Sequence, residues 1–448
     1  RKFKTDLLDC FTLTEFGLSF LCTFSAMFCF WISAYTIHFG LVVYGVACMI
    51  GFMTGLEIPL ITRINESYES LRENISSVME YDYYGALLGG ALFAFVLLPF
   101  LGLTYTPVLI GSLNLLVASL ILWTFPDHLT RPRILNIQFA VLLMASILAF
   151  AVAKPIILYG EQHKYKDKIV YQEQTRYQKI VVTQWKDDYW LFINGSTQFS
   201  TYDEERYHEP LVHPLLGLIK ERKDILLLGG GDGLAAREIL KYPDVENLTL
   251  VDLDPAMTQL ARQDKIFLSI NKGSLNDPRV RVINQDAYQF IKNSVDLYDA
   301  VIIDLPDPKS VSLSLLYSLG FYKMVEKHLK PFGAMVTQST SPLYSPEAFL
   351  CIKKTLEAAG FSTLPYQNSV PSMGQWGWVL GVRQKSMPTQ RLRKNLTALT
   401  FPDIATRFLN RDAMISMAHF GKGLYEQEGQ IEPNTQFDHN ILKYYRKG

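Results

Sequence analysis

No charge of one sign predominates in this chain. Its 43 Lys and Arg balance 43 Asp and Glu, so the net charge is zero. No bulk attraction to nucleic acid follows from that balance, and no nucleic-acid partner is expected. Cysteine is scarce. Cys10, Cys22, Cys29, Cys48 and Cys351 form no Cys-x-x-Cys, and four of them lie in or beside an apolar region. A disulfide framework and a thiolate zinc site are therefore not expected; small buried apolar roles suit these residues better. The eight histidines make no ligand cluster, so no metal is expected. Internal repeats and low-complexity tracts are absent. The chain begins at Arg1 rather than Met, which leaves room for missing upstream helices.

What is present is unevenly spread. At 448 residues the chain exceeds one typical domain. Five apolar stretches crowd its first third, at about 11–35, 39–62, 82–101, 104–125 and 134–153. Each is long enough, or nearly so, to cross roughly 30 Å of hydrocarbon, and small residues such as Gly85, Ala86, Gly89 and Gly90 suit close helix approach. A multi-pass protein of the cell (inner) membrane is expected, with lipid as a partner. Glu57 lies inside the second stretch and Asp82 opens the third. A buried acid in lipid invites a functional reading; pairing with a neighbouring helix is the plainer one. Cations cluster before the first stretch (Arg1, Lys2, Lys4), between two and three (Arg63, Arg72) and between four and five (Arg131, Arg133). The positive-inside rule puts those connections in the cytoplasm. Lys154, Lys164, Lys166 and Lys168, after the last stretch, argue the other way and leave the side of the remaining chain open.

The remainder reads as soluble. A polar connection from 154 to about 175 is expected to be a linker. Residues 177–200 alternate and turn like a small β-meander. A helical stretch carrying His208, Glu209 and His213 follows. From 225 strands and helices alternate, which implies a doubly wound, Rossmann-like parallel sheet. Expected strands are 225–228, 247–251, 279–283, 299–303, 333–337 and 376–382; expected helices include 255–268 and about 314–329. Residues 386–448 have weaker periodicity and read as a helical tail. The expected division is 1–154, 155–218, 219–385 and 386–448.

The chemistry centres on Ile225-Leu-Leu-Leu-Gly229-Gly230-Gly231-Asp232-Gly233. An apolar run ending in glycines and followed by a helix brings backbone amides close to a ligand. Asp252 lies 20 residues beyond Asp232, the spacing at which an acid meets a ribose hydroxyl. A structural turn with a solvated acidic loop is the alternative. In such sheets ligands bind at the carboxyl ends of the strands, where Asp232, Asp252, Asp286 and Asp304 fall in sequence. One such acid is usually a helix cap; four on one edge exceed what capping needs. Asp286 is placed to accept from an adenine amino group. Asp304 and Asp307 project where a second substrate would meet the first. Paired carboxylates suit an amine, one holding an ammonium and the other taking its proton. The alternative is that Asp307-Pro308 only makes a turn. Trp376 and Trp378 share a strand face, which lines either the acceptor end of the site or the core.

With Tyr177-Gln178, the run Asp203-Glu204-x-x-Tyr207-His208-Glu209, Gly229 to Gly233, and Asp304-x-x-Asp307-Pro308, residues 177–385 resemble the spermidine synthase family of aminopropyltransferases. Gln338 and Gly374-Gln375 match more loosely. The whole chain resembles the membrane-bound bacterial branch. The resemblance implies decarboxylated S-adenosylmethionine as donor and a small polyamine such as putrescine as acceptor. Asp252 would hold the ribose, Asp286 the adenine, and Asp232 the aminopropyl amine with Gln178 nearby. Asp304 would be the base, helped by Tyr207; Asp307 would hold the acceptor amine. His208, Gln338, Gln375 and Trp376 are the remaining candidates for the acceptor site, and a homodimer is admitted. Two departures stand out. Leu305 and Pro306 replace serine or threonine between the aspartates, and a late-loop tyrosine is missing from Val370-Pro-Ser-Met-Gly-Gln-Trp-Gly-Trp378. A methyltransferase on the same fold and a membrane protein that binds polyamine without turnover stay open as alternatives.

Overall fold

The computed structural model describes residues 2–33, 35–36, 38–66, 70–384, 387–426 and 428–447; Arg1, one of the amino-terminal cations, lies outside them. The chain forms two compact units, Arg1–Ile169 and Val170–Gly448.

All five apolar stretches of the first unit are helical: α1 (Lys2–Ser33), α2 (Phe39–Asn65), α3 (Leu71–Leu92), α4 (Leu98–Thr124) and α5 (Pro132–Gln162). A π-helical turn, Phe93–Leu97, joins α3 to α4, so that 72–124 is one apolar run of 53 residues. Straight, such a run would span roughly 80 Å, far more than a hydrocarbon core. Gly102 breaks it, at φ 61° and ψ −172°, and the Thr106 hydroxyl donates back to the Leu97 carbonyl at 3.1 Å. Among the described residues, four helical runs are long and apolar enough to cross a membrane. The unit's small core forms where α1 meets α4 and α5, with Phe16 against Leu115, Ala118 and Leu135. Helix α2 buries no residue. Glu57 hydrogen-bonds Glu15 of α1, which is the plainer of its two readings.

The connection expected as a linker is ordered instead. Helix α5 runs to Gln162, and strand β1 (Lys168–Gln174) begins soon after. It joins β2 (Lys179–Trp185), β3 (Asp188–Ile193) and β4 (Ser196–Ser200) in a four-stranded sheet of order β1-β2-β3-β4. Helix α6 (Glu205–Leu218) then leads into the large sheet.

That sheet holds β5 (Asp224–Gly229), β6 (Asn247–Asp252), β7 (Val280–Asn284), β8 (Tyr298–Asp304), β9 (Leu329–Gln338), β10 (Phe361–Val370) and β11 (Gly374–Arg383). Their order is β10-β11-β9-β8-β5-β6-β7. Pairings are parallel from β9 through β7, and β11 runs antiparallel to both its neighbours. Alternate residues serve opposite cores. Ile225 and Leu227 face one with α6, while Leu226 and Leu228 face the other with the helix Pro346–Ala358. This is why β5 reads as an unbroken apolar run.

Strand β10 is absent from the sequence reading, because Pro365 interrupts its pattern. It lies at the sheet's edge, where a missing donor is tolerated. The single helix expected over 255–268 is two. Asp264 ends the first and caps the second, accepting from Ile266 N–H. Ser318 likewise splits the helix expected at about 314–329, accepting from Phe321 N–H. The tail is less helical than expected. Its α-helices among the described residues are Thr389–Thr397, Arg411–Met417 and Asn440–Tyr445; Pro402, Gly421, Gly423 and Pro433 punctuate the irregular stretches between them.

Candidate active site

The glycine turn is shaped by its two neighbours. Gly229 ends β5 in register with Asp304 at the end of β8. Its φ is +84°, and a Cβ there would strike the Asp304 carbonyl. A Cβ on Gly231 would lie 2.5 Å from the Asp252 carboxylate. Only glycine allows both approaches. Gly231 N–H donates to Asp252 Oδ2 (3.1 Å) and Asp254 N–H to its Oδ1 (2.9 Å). Burial, with Asp232 close by, pushes the Asp252 carboxyl up to about 6. Asp232 accepts from Leu234 N–H at 2.8 Å, just past Gly233, and burial raises it as well.

Helix α6 and the turn before it carry four of the site's anchors. Asp203 accepts from Ser372 N–H (2.6 Å) and Ser372 Oγ (2.7 Å), tying down the β10–β11 turn. Glu204 accepts from Arg237 at 2.8 Å on each oxygen and pairs with His208 Nδ1 at 3.1 Å. Burial opposes its ionisation, but His208 and Arg237 bring it below the usual carboxylate range. Burial alone would depress His208; Glu204, then Asp232 and Asp304, outweigh it and hold the imidazole up at about 9. Glu209 accepts from the amides of Arg407, Phe408 and Leu409 at 2.6, 2.9 and 2.7 Å. Tyr207, between them, donates to Asp304 Oδ1 at 2.6 Å.

Among the described residues, Asp304 is thus held from one side. Its Oδ2 turns toward Gly230. Burial, with Asp232 adding to it and His208 and Tyr207 opposing, pushes the carboxyl up to about 6. Asp307 Oδ2 accepts from Tyr445 Oη at 2.9 Å, while its Oδ1 is buried without a hydrogen-bond partner of ordinary geometry among the described residues. The Gln338 amide is near but donates to the Leu305 carbonyl (2.6 Å) and to Tyr317 Oη. Burial raises Asp307 too, and Tyr445 and Lys309 oppose it. Tyr207 faces two indoles, Trp376 at 6.1 Å and Trp378 at 5.5 Å between ring centroids. The two tryptophans do share a face, but Trp378 is fully buried and stacked on Tyr366.

The spermine/spermidine synthase domain matches residues 204–394. A polyamine aminopropyltransferase of Oceanobacillus iheyensis is 38% identical over all of this chain and 86% of its own length. Polyamine aminopropyltransferase 2 of Aquifex aeolicus is 39% identical over 98% of this chain and 85% of its own. The chain belongs to the polyamine aminopropyltransferase family. Among solved structures, a spermidine synthase in complex with the transition-state analogue AdoDATO shares the fold, at 24% identity and a TM-score of 0.51 over 59% of this chain and 89% of its own. Family membership favours aminopropyl transfer over the methyltransferase and the non-catalytic binding protein.

Other candidates of this aminopropyltransferase sit less centrally. The Gln178 backbone N–H donates to Thr175 Oγ1 (3.0 Å), and the Thr175 hydroxyl donates to Asp254 Oδ2 (2.8 Å), which ties the meander to the end of β6. Asp286 caps the helix Ala287–Asn293 through Gln289 N–H at 2.9 Å. Gln375 is committed across its hairpin to Gln367, at 2.7 Å. Two tyrosines escape the sequence reading. Tyr317 donates toward the Leu305 and Pro306 carbonyls (3.0 and 3.1 Å). With Gln338 it shapes the loop where the family's serine or threonine is missing. Tyr445 stands in a tail with no motif. Neither has a local signal, since each acts through a distant backbone or side chain.

Proposed function

We propose that this aminopropyltransferase moves the aminopropyl group of decarboxylated S-adenosylmethionine onto a primary amine of a small polyamine such as putrescine, giving spermidine and methylthioadenosine. The attacking nitrogen forms a bond to the propyl carbon. The carbon–sulfur bond breaks with its electrons left on sulfur, and the nitrogen's proton passes to Asp304. The donor carbon is already electrophilic, so alignment and an unprotonated amine are what the protein must supply. The observation that carries this reading is the Tyr207–Asp304 bond beside Asp307. One buried carboxylate is oriented with an oxygen free, and another has an unmet oxygen suited to an ammonium. Gly229 to Gly233 with Asp252 form the donor cradle, and Asp286, Asp232 and Gln178 are assigned to adenine, amine and donor positioning. His208, Gln338 and Trp376 support the acceptor end; Gln375 is kept at its margin.

Asp304→Asn keeps the shape and removes the base. Turnover should fall roughly 10²–10⁴-fold with donor affinity unchanged. Asp307→Asn should instead raise the acceptor KM. Steady-state kinetics with donor titration separate the two, and near-normal turnover by Asp304→Asn would sink the mechanism.

We also propose that the first unit is a multi-pass membrane anchor. Large apolar side chains stand exposed along it, among them Leu41, Phe52, Leu87, Phe95 and Trp123 at 69–82%. An aqueous surface does not support so much contiguous apolar area; lipid does.

A further inference from the structure

The acceptor carboxylate is held from outside the matched domain. Tyr445, which donates to Asp307 Oδ2 at 2.9 Å, follows it by 138 residues and lies beyond residue 394. The segment that carries it is firmly seated. Asn434, fully buried, donates through its backbone N–H to Thr355 Oγ1 (2.9 Å) and through Nδ2 to the Ser314 carbonyl (2.8 Å). Leu319 N–H donates to the Asn434 carbonyl at 2.8 Å. His439 Nδ1 pairs with Ser314 Oγ at 2.7 Å. Ser314 belongs to the short helix Val311–Leu315, just past Asp307. The tail therefore grips Asp307 itself and the turn of chain behind it.

A carboxylate's last torsion is broad, so burial alone does not aim its oxygens. Here Tyr445 occupies Oδ2, and Oδ1 is the oxygen left unmet in the interior. We infer that Tyr445 is a positioning residue for the acceptor: it turns the Asp307 carboxylate so that Oδ1 meets the acceptor's ammonium, and the carboxyl-terminal tail is thereby part of the acceptor site. The inference rests on the proposed role of Asp307. Lys309, Gln338, Tyr317 and Tyr207 also act on or respond to Asp307, but Tyr445 alone among them makes a hydrogen bond of ordinary geometry to it.

The test compares the full chain with Tyr445→Phe and, as a control, Tyr444→Phe, which removes a hydroxyl that accepts from Glu432 N–H. Steady-state kinetics, donor affinity and thermal midpoint are read, together with calorimetric binding of a linear diamine with methylthioadenosine present so that no reaction occurs. Tyr445→Phe should weaken diamine binding and raise the acceptor KM roughly tenfold to a hundredfold, the scale of one hydrogen bond to a charged group. It should leave donor affinity and thermal midpoint as in Tyr444→Phe. The acid limb of kcat/KM for the diamine should also move to higher pH, because Asp307 loses a donor that favours its ionised form. Unchanged diamine binding in Tyr445→Phe overturns the inference, as does a loss matched by Tyr444→Phe or by a fall in donor affinity. If the wild type binds diamine without turnover, the proposed reaction fails while the Tyr445 result still decides its own question.

Discussion

Asp304 carries opposing demands in one side chain. As a base it must be ionised, yet burial pushes it up to about 6. Turnover should therefore fall as pH drops through about 6, readable as the acid limb of kcat. The stability effect has the opposite sense. An ordinary aspartate titrates near 3.9, so between about 4 and 6 the folded chain keeps a proton that the unfolded chain releases. The stabilisation is full below about 4 and lost as pH rises through about 6. Asp304→Asn removes that loss, so its thermal midpoint should exceed the wild type's at pH about 7.5, and the gap should close in acid. The indoles separate at this scale too. Trp378→Ala empties a fully buried site and should cost about 3–5 kcal/mol. Trp376 is only half-buried; its Nε1, like that of Trp378, lacks a partner among the described residues. Trp376→Ala should change the preference among diamines of different length with less loss of stability. Denaturation and a diamine panel on both variants check the contrast.

Among the elements, α6 and the turn before it join several parts of the second unit. Asp203 reaches the β10–β11 turn, Glu204 reaches α7 (Leu234–Ile239) through Arg237, Tyr207 reaches β8, and Glu209 reaches the tail. The motif is a set of tethers as much as a set of reactants. Glu209→Ala strips three amides of a charged acceptor at once. Only the Leu409 N–H bond is buried, and the Arg407 and Phe408 amides are partly open to water, so the loss should be about 1–3 kcal/mol, the cost of one unmet buried donor. It should appear in denaturation, with the kcat of the folded enzyme little changed. The motif's residue types are plain in the chain, but their division into tether and reactant is not. That depends on which strand end lies opposite each position of the helix.

For the whole molecule, the proposed membrane anchor makes a prediction about the side on which the second unit works. Lys154, Lys164, Lys166 and Lys168 stand in and just beyond the last turns of α5. Cation-rich flanks stay inside. A reporter fused at position 165 should accordingly read as cytoplasmic. A reading on the far side would follow the earlier cation clusters instead, and would require the donor to be supplied there.

Local chemistry in the sequence determined much of this protein. Unbroken apolar runs long enough for lipid, the strand–glycine–helix turn and the acids at strand ends each carry their signal within a few residues, because periodicity and backbone freedom are local properties. So was the family legible. Three features were decided only by tertiary structure. Pro365 hides β10, and only its place at the sheet edge makes that strand possible. The π-helical turn Phe93–Leu97 joins α3 to α4 in one helical run where the sequence shows two separate apolar stretches. Tyr317 and Tyr445 enter the site from 12 and 138 residues beyond their partners. A hydrogen bond across such a separation leaves no periodic or compositional trace; it exists only once burial has brought both ends to one place.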